Sequence, residues 1–153
     1  MKKTSNKGFS MVELIIVIAI MAILAAALAP ALIKYINKSR LSTDISTGTS
    51  IASAMNSALA VESAYDGAYS YTSTIALNSL LGESTTNSYA KELADIIGAS
   101  VKGKTKKDLG GTSVAQEYYV LVDPSSNKVN VWYGAKDDNH LISPEVGASL
   151  EQK

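Results

Sequence analysis

The stretch MKKTSNKGFSMVELIIVIAIMAILAAALAPALIK, residues 1–34, decides the fold. Lys2, Lys3 and Lys7 form a short positive leader. Residues 14–33 are an uncharged run of twenty dominated by Ile, Leu and Ala, and Glu13 stands at its edge, five residues after Gly8. As a helix rising about 1.5 Å per residue, such a run crosses a hydrocarbon core of roughly 30 Å. A helix is the only open segment able to do so, because lipid offers the backbone no hydrogen-bond partner. The leader lysines predict a cytoplasmic N-terminus with the rest of the chain outside. An acidic side chain well inside the membrane costs about 2.5–3.5 kcal/mol and marks a function and a partner, whereas in the headgroup layer it costs little. Position alone leaves both readings of Glu13 open.

Lys7-Gly8-Phe9-Ser10-Met11-Val12-Glu13-Leu14-Ile15, the apolar run and Pro30 together resemble type IV pilins, the family with a class III signal peptide. A basic leader, Gly before a cut, Phe after it, Glu as the fifth residue beyond it and then the run are all present. The resemblance covers about the first forty residues. It implies that prepilin peptidase, a membrane aspartyl peptidase, cuts after Gly8 and N-methylates Phe9, so residues 1–8 are a leader that is removed. It implies that 9–33 remain as a transmembrane helix and become the core of a homo-oligomeric helical filament. Glu13 would then pair with the Phe9 amino group of a neighbouring subunit. A carboxylate in an apolar core must be paired, and removing one partner of such a pair costs about 3–5 kcal/mol. The pair therefore sets register more than it adds stability. Further implied partners are a pilus assembly platform protein and its ATPase.

An ordinary signal peptide is the competing reading, because Ala27-Leu28-Ala29 fits a small-x-small cleavage pattern after an apolar core. Against it, Pro30 would follow the cut directly, and Glu13 would lie at the mouth of the core. Within the run, Ala19, Ala22, Ala26 and Ala29 recur at spacings of 3, 4 and 3, which places small residues on one face and lets backbones approach closely. Pro30 lacks an N–H and crowds the preceding turn, so a kink or loosened turn is expected there.

From Ala31 to about Ala64 the helical pattern turns amphipathic, with Ile33, Ile36, Leu41, Ile45, Ile51, Met55 and Leu59 at helix-like spacings, and residues 34–64 form the amphipathic half of the helix. Lys34, Lys38, Arg40 and Asp44 mark the exit from the membrane. Thr47-Gly48-Thr49 is expected to weaken the helix. Residues 65–153 then form a globular C-terminal domain. Its segment 65–87, rich in Ser, Thr, Gly and Tyr, reads as a loop with a helical piece near 75–81. Residues 88–97 read as a short helix capped by Ser88, apolar at Tyr89, Leu93, Ile96 and Ile97, and ended by Gly98. Residues 117–122 and 128–133 read as an antiparallel hairpin joined by Asp123-Pro124-Ser125-Ser126-Asn127. A third strand is expected before Glu117 or near Leu141-Ile142. So small a sheet is stable only with one face on the long helix. The expected class is therefore α+β: a long N-terminal helix, transmembrane then amphipathic, packed on a small antiparallel sheet, which is the pilin architecture.

The chain has fourteen basic and fourteen acidic residues, and loss of residues 1–8 leaves eleven against fourteen. A mildly acidic product is not a dedicated nucleic-acid binder. With no Cys there is neither disulfide nor thiolate chemistry. Lys102, Lys104, Lys106 and Lys107 form a basic cluster read as a solvated loop, since no aromatic is interleaved and no helix arrays the charges. Contact with phosphate, DNA or an acidic surface is the alternative. Asp137-Asp138-Asn139-His140 offers oxygen ligands in a row; major pseudopilins of type II secretion hold calcium in a comparable loop. The spacing is not that of an EF-hand, so a polar turn is expected, with Asp137 and Asp138 the weak calcium candidates and no other cofactor. His140 is the sole histidine, and no nucleophile-elbow or phosphate-loop motif occurs, so the chain does not read as an enzyme. The leading expectation is a structural subunit that waits in the cell membrane and is assembled into a surface pilus. The alternatives are a pseudopilin of a secretion or competence system, and a single-pass anchored or secreted binding domain.

Overall fold

The structure, a computed structural model, describes residues 9–106, 113–144, 147 and 150. The apolar run and the amphipathic stretch lie in one element, helix α1 (Met11–Leu59), which continues unbroken through Pro30 and through Thr47-Gly48-Thr49. By contacts the chain divides into two units, Met1–Ile36 and Asn37–Lys153. In the first, Ile, Leu, Val and Ala cover every face of α1, and each described residue is exposed.

In the second unit, α1 buries Leu41, Asp44, Gly48, Ile51, Ala52, Met55 and Leu59, the three- and four-residue spacing of one helix face. Ile45 is half-buried, while Ile33 and Ile36, read into the same stripe, are exposed. Gly48 is where Ile142 comes close: a Cβ there would lie 2.5 Å from its Cδ1. On the exposed side Thr43, Thr47, Thr49, Ser50, Ser53 and Ser57 each donate a hydroxyl to the carbonyl four residues back, so these poor helix formers do not seek other backbone partners.

The helix expected to run to about residue 64 ends at Leu59, and α2 (Glu62–Ala68) restarts two residues later. The segment expected as mostly loop is mostly built. After α2 come a 3-10 turn (Tyr69–Tyr71), strand β1 (Ile75–Ala76) and α3 (Leu77–Gly82). Its Ser/Thr/Gly-rich composition misleads because Ala68, Tyr71, Leu77, Leu80 and Leu81 are placed to enter the core, and packing overrides propensity. Helix α4 (Ser88–Ile97) is capped by Asn87 rather than Ser88. The Asn87 side-chain oxygen accepts from the N–H groups of Tyr89 at 2.9 Å and Ala90 at 3.1 Å. Gly98, with φ +90°, ends the helix as its sequence position predicts. The buried side of α4 is Tyr89, Ala90 and Leu93; Ile96 is 47% exposed and does not belong to it.

Strands β2 (Tyr118–Asp123) and β3 (Lys128–Tyr133) pair antiparallel from Tyr118 opposite Tyr133 to Asp123 opposite Lys128. Strand β4 (Leu141–Ser143) adds to β3, and the sheet order is β1-β2-β3-β4, antiparallel throughout. The edge next to β2 is thus Ile75–Ala76, a pair read from sequence as helical, and not the segment before Glu117. Tyr118, Val120, Val122, Val129, Val131 and Tyr133 fill one core with the buried residues of α1. The Tyr118 hydroxyl donates to the Asp44 carbonyl on α1 at 3.1 Å. The fold is α+β, with the long helix packed on a four-stranded antiparallel sheet.

Candidate functional site

The first four N–H groups of any helix lack partners within it. At the start of α1, Ser10 supplies a partner for one of them, and Glu13 reaches back to the Ser10 N–H. The Glu13 carboxylate accepts the Ser10 N–H at 3.0 Å, and the Ser10 hydroxyl accepts the Val12 N–H at 3.3 Å. This is a capping box, whose Ser-x-x-Glu spacing is legible in residues 10–13. Reading Glu13 only as an inter-subunit partner overlooks it. Phe9 is 81% exposed and Glu13 is exposed as well. Gly8 and the leader lysines lie outside the described residues.

At about 100° per residue, Ala19, Ala22, Ala26 and Ala29 share an arc of α1 roughly 80° wide, and Glu13 points about 160° from its centre. All five are exposed, and Pro30 lies just beyond the arc's last alanine. The most apolar window of α1 has a mean hydropathy of 2.9 with no residue buried. A helix apolar on every face is stable only in lipid or inside an assembly.

Asp44, read as a marker of membrane exit, is instead 2% exposed. Its carboxylate accepts the backbone N–H groups of Lys104, at 2.9 and 3.0 Å to its two oxygens, and of Thr105 at 2.7 Å. Tyr133 donates to the Thr105 carbonyl at 2.5 Å. Burial first, then the Asp44 charge, pushes the hydroxyls of Tyr118 and Tyr133 well above their usual range, so both stay protonated donors. Gly103 lies against the Tyr133 ring with no room for a Cβ. It exchanges backbone and side-chain hydrogen bonds with Gln116. The basic loop is therefore clamped. Lys102, Lys104 and Lys106 are exposed, in alternation with buried Gly103 and Thr105, while Lys107 lies outside the described residues.

Asp137 accepts the His140 backbone N–H at 3.1 Å and meets its Nδ1 at 2.7 Å. The His140 hydrogen bond holds the Asp137 carboxyl below the usual carboxylate range. Asp138 is exposed beside it. Among the described residues no three His, Cys, Asp or Glu side chains gather to hold a metal ion.

Residues 3–29 match the family model of the prokaryotic N-terminal methylation motif, which is the class III signal peptide of type IV pilins and pseudopilins. No curated protein and no solved structure matches the chain.

Proposed function

We propose that a chain opening on this motif is the structural subunit of a type IV pilus or pilus-like filament. It is made as a membrane-anchored precursor with its N-terminus in the cytoplasm. It is cut after Gly8 by prepilin peptidase, N-methylated on Phe9, and drawn by an assembly platform and its ATPase into a homo-oligomeric filament at the cell surface. The observation that carries this reading is the motif at residues 3–29 continuing into an unbroken α1 whose apolar run is wholly unburied.

The mechanism is polymerisation. Moving α1 from lipid into a filament core changes apolar burial little, so specificity rests on close backbone packing at Ala19, Ala22, Ala26 and Ala29 and on pairing of Glu13. The alanine arc and Glu13 face nearly opposite ways. One partner helix does not cover both, whereas neighbours on several sides do, which supports a filament over a pair. The motif equally describes pseudopilins, and a calcium-dependent melting temperature, lost on changing Asp137 and Asp138, would favour that version.

The test is the N-terminal mass of the mature protein from cells that express it naturally. A chain starting at N-methylated Phe9 is the expected result. A chain starting at Pro30, or one retaining Met1, would leave an anchored or secreted domain in place of a filament subunit.

A further inference from the structure

We propose that Arg40, Lys102, Lys104 and Lys106 form a docking surface for anionic phospholipid headgroups. Arg40 on α1 and the loop lysines line one open depression of about 590 Å³, floored by Gly103 and Gln116. The sequence offers only a basic run, and the tertiary structure turns it into an array. Alternation of exposed Lys with buried Gly103 and Thr105 sends the three lysines the same way. Asp44 grips the backbone of residues 104 and 105, Gln116 holds Gly103, and the Val114 N–H donates to the Lys106 carbonyl at 3.0 Å. The backbone entropy of presenting the cations is thus already lost before a partner arrives. Among the described residues no carboxylate pairs with any of the four side chains. The nearby Asp44 is occupied by backbone N–H groups.

Arg40 stands on α1 close to the end of the apolar run. It follows Ile33, the last residue of the apolar run, by seven residues of helix, or about 10 Å. Between them stand Lys34 and Lys38, and no acidic residue occurs from Leu14 up to Asp44. The rise from Ile33 to Arg40 is near the Debye length, so Arg40 lies within the field of a headgroup layer at the end of the run. Lys and Arg are ordinarily sparse on the non-cytoplasmic flank of a span, yet this chain keeps three there, as many as in its leader. Contact with anionic lipid, favourable for each cation near the surface, accounts for them. No aromatic side chain lines the depression, which removes the stacking platform that single-stranded nucleic acid uses.

The proposal rests on the membrane-anchored state and not on polymerisation. The full chain is placed in nanodiscs of neutral phosphatidylcholine, or of the same lipid with about a third phosphatidylglycerol, and treated with a water-soluble amine-acylating reagent. Mass spectrometry then reads each lysine, with the exposed Lys91 and Lys128 as internal references. Lys102, Lys104 and Lys106 are expected to react at least about threefold more slowly in the anionic discs, and the protection should vanish near 1 M salt, where the Debye length is about 3 Å. Arg40→Gln should weaken the protection without moving the references. Co-elution with both discs and equal labelling in the two overturns the proposal alone. Failure to co-elute with either overturns the anchored state and the proposal with it. Protection that appears in neutral discs only on adding duplex DNA, or only at high protein density, overturns it in favour of nucleic acid or a second copy.

Discussion

Asp44 joins three parts of the molecule through a few atoms. Its carboxylate holds two N–H groups of the basic loop, and its carbonyl receives the Tyr118 hydroxyl from β2. Replacing it by Ala strands the buried Thr105 N–H and the part-buried Lys104 N–H, each costing about 1–3 kcal/mol when left without a partner. Asp44→Ala should therefore lower the stability of the chain by roughly 3 kcal/mol, with Asp44→Asn intermediate, as read by thermal unfolding in detergent. An unchanged melting temperature would mean that the loop does not depend on the clamp. In the sequence this aspartate is one more charge after a membrane span, because nothing local distinguishes a solvated carboxylate from one that meets partners 60 and 61 residues away.

The elements that are legible in advance are those whose signals are local. The β2–β3 hairpin needs only alternating Val and Tyr around a Pro-containing turn, and it forms with Asp123 opposite Lys128. Asp123 closes that turn by accepting from the hydroxyls of Ser125 at 2.5 Å and Ser126 at 2.6 Å, and these bonds hold its carboxyl below the usual carboxylate range. A depressed carboxyl contributes stability that is present above its unfolded value, near pH 3.9, and is lost as pH falls through the folded value. The amide resonances of Ser125 and Ser126 should hence shift in the window below about pH 4. Asp123→Asn should abolish that titration, and its persistence would assign it to another group. Helix α4 shows how caps are misplaced by one residue, since Asn87 and Ser88 are both good candidates. Asn87 wins because its amide also donates to the Gly67 carbonyl at 3.0 Å, a bond that exists only once α2 is docked. Asn87→Ala should cost about 1 kcal/mol in chemical unfolding, while Ser88→Ala should cost little.

At the scale of the whole molecule, Glu13 has two employments. In the isolated chain it caps its own helix through Ser10. In the proposed filament it pairs with a neighbour's N-terminal amine. The two are separable: Ser10→Ala weakens the capping box but keeps the carboxylate, whereas Glu13→Ala removes both. If pairing governs assembly, Glu13→Ala should abolish filaments seen by electron microscopy while the chain still fractionates with membranes. Ser10→Ala should then assemble, with a helix start weaker by about 1 kcal/mol. Equal loss in the two variants would make Glu13 a cap and nothing more.

By itself the sequence determined an apolar run long enough to cross a membrane, the N-terminal methylation motif, the hairpin and the lack of cysteine. Each of these rests on composition or on residues a few positions apart, where periodicity and turn chemistry act directly. Only the tertiary structure decided that Ile75–Ala76 is an edge strand, that the long helix stops at Leu59, that Asp44 is buried and that the lysine loop is clamped. Those outcomes are set by contacts between distant segments, whose burial and hydrogen bonding outweigh the weak local preferences that a sequence displays.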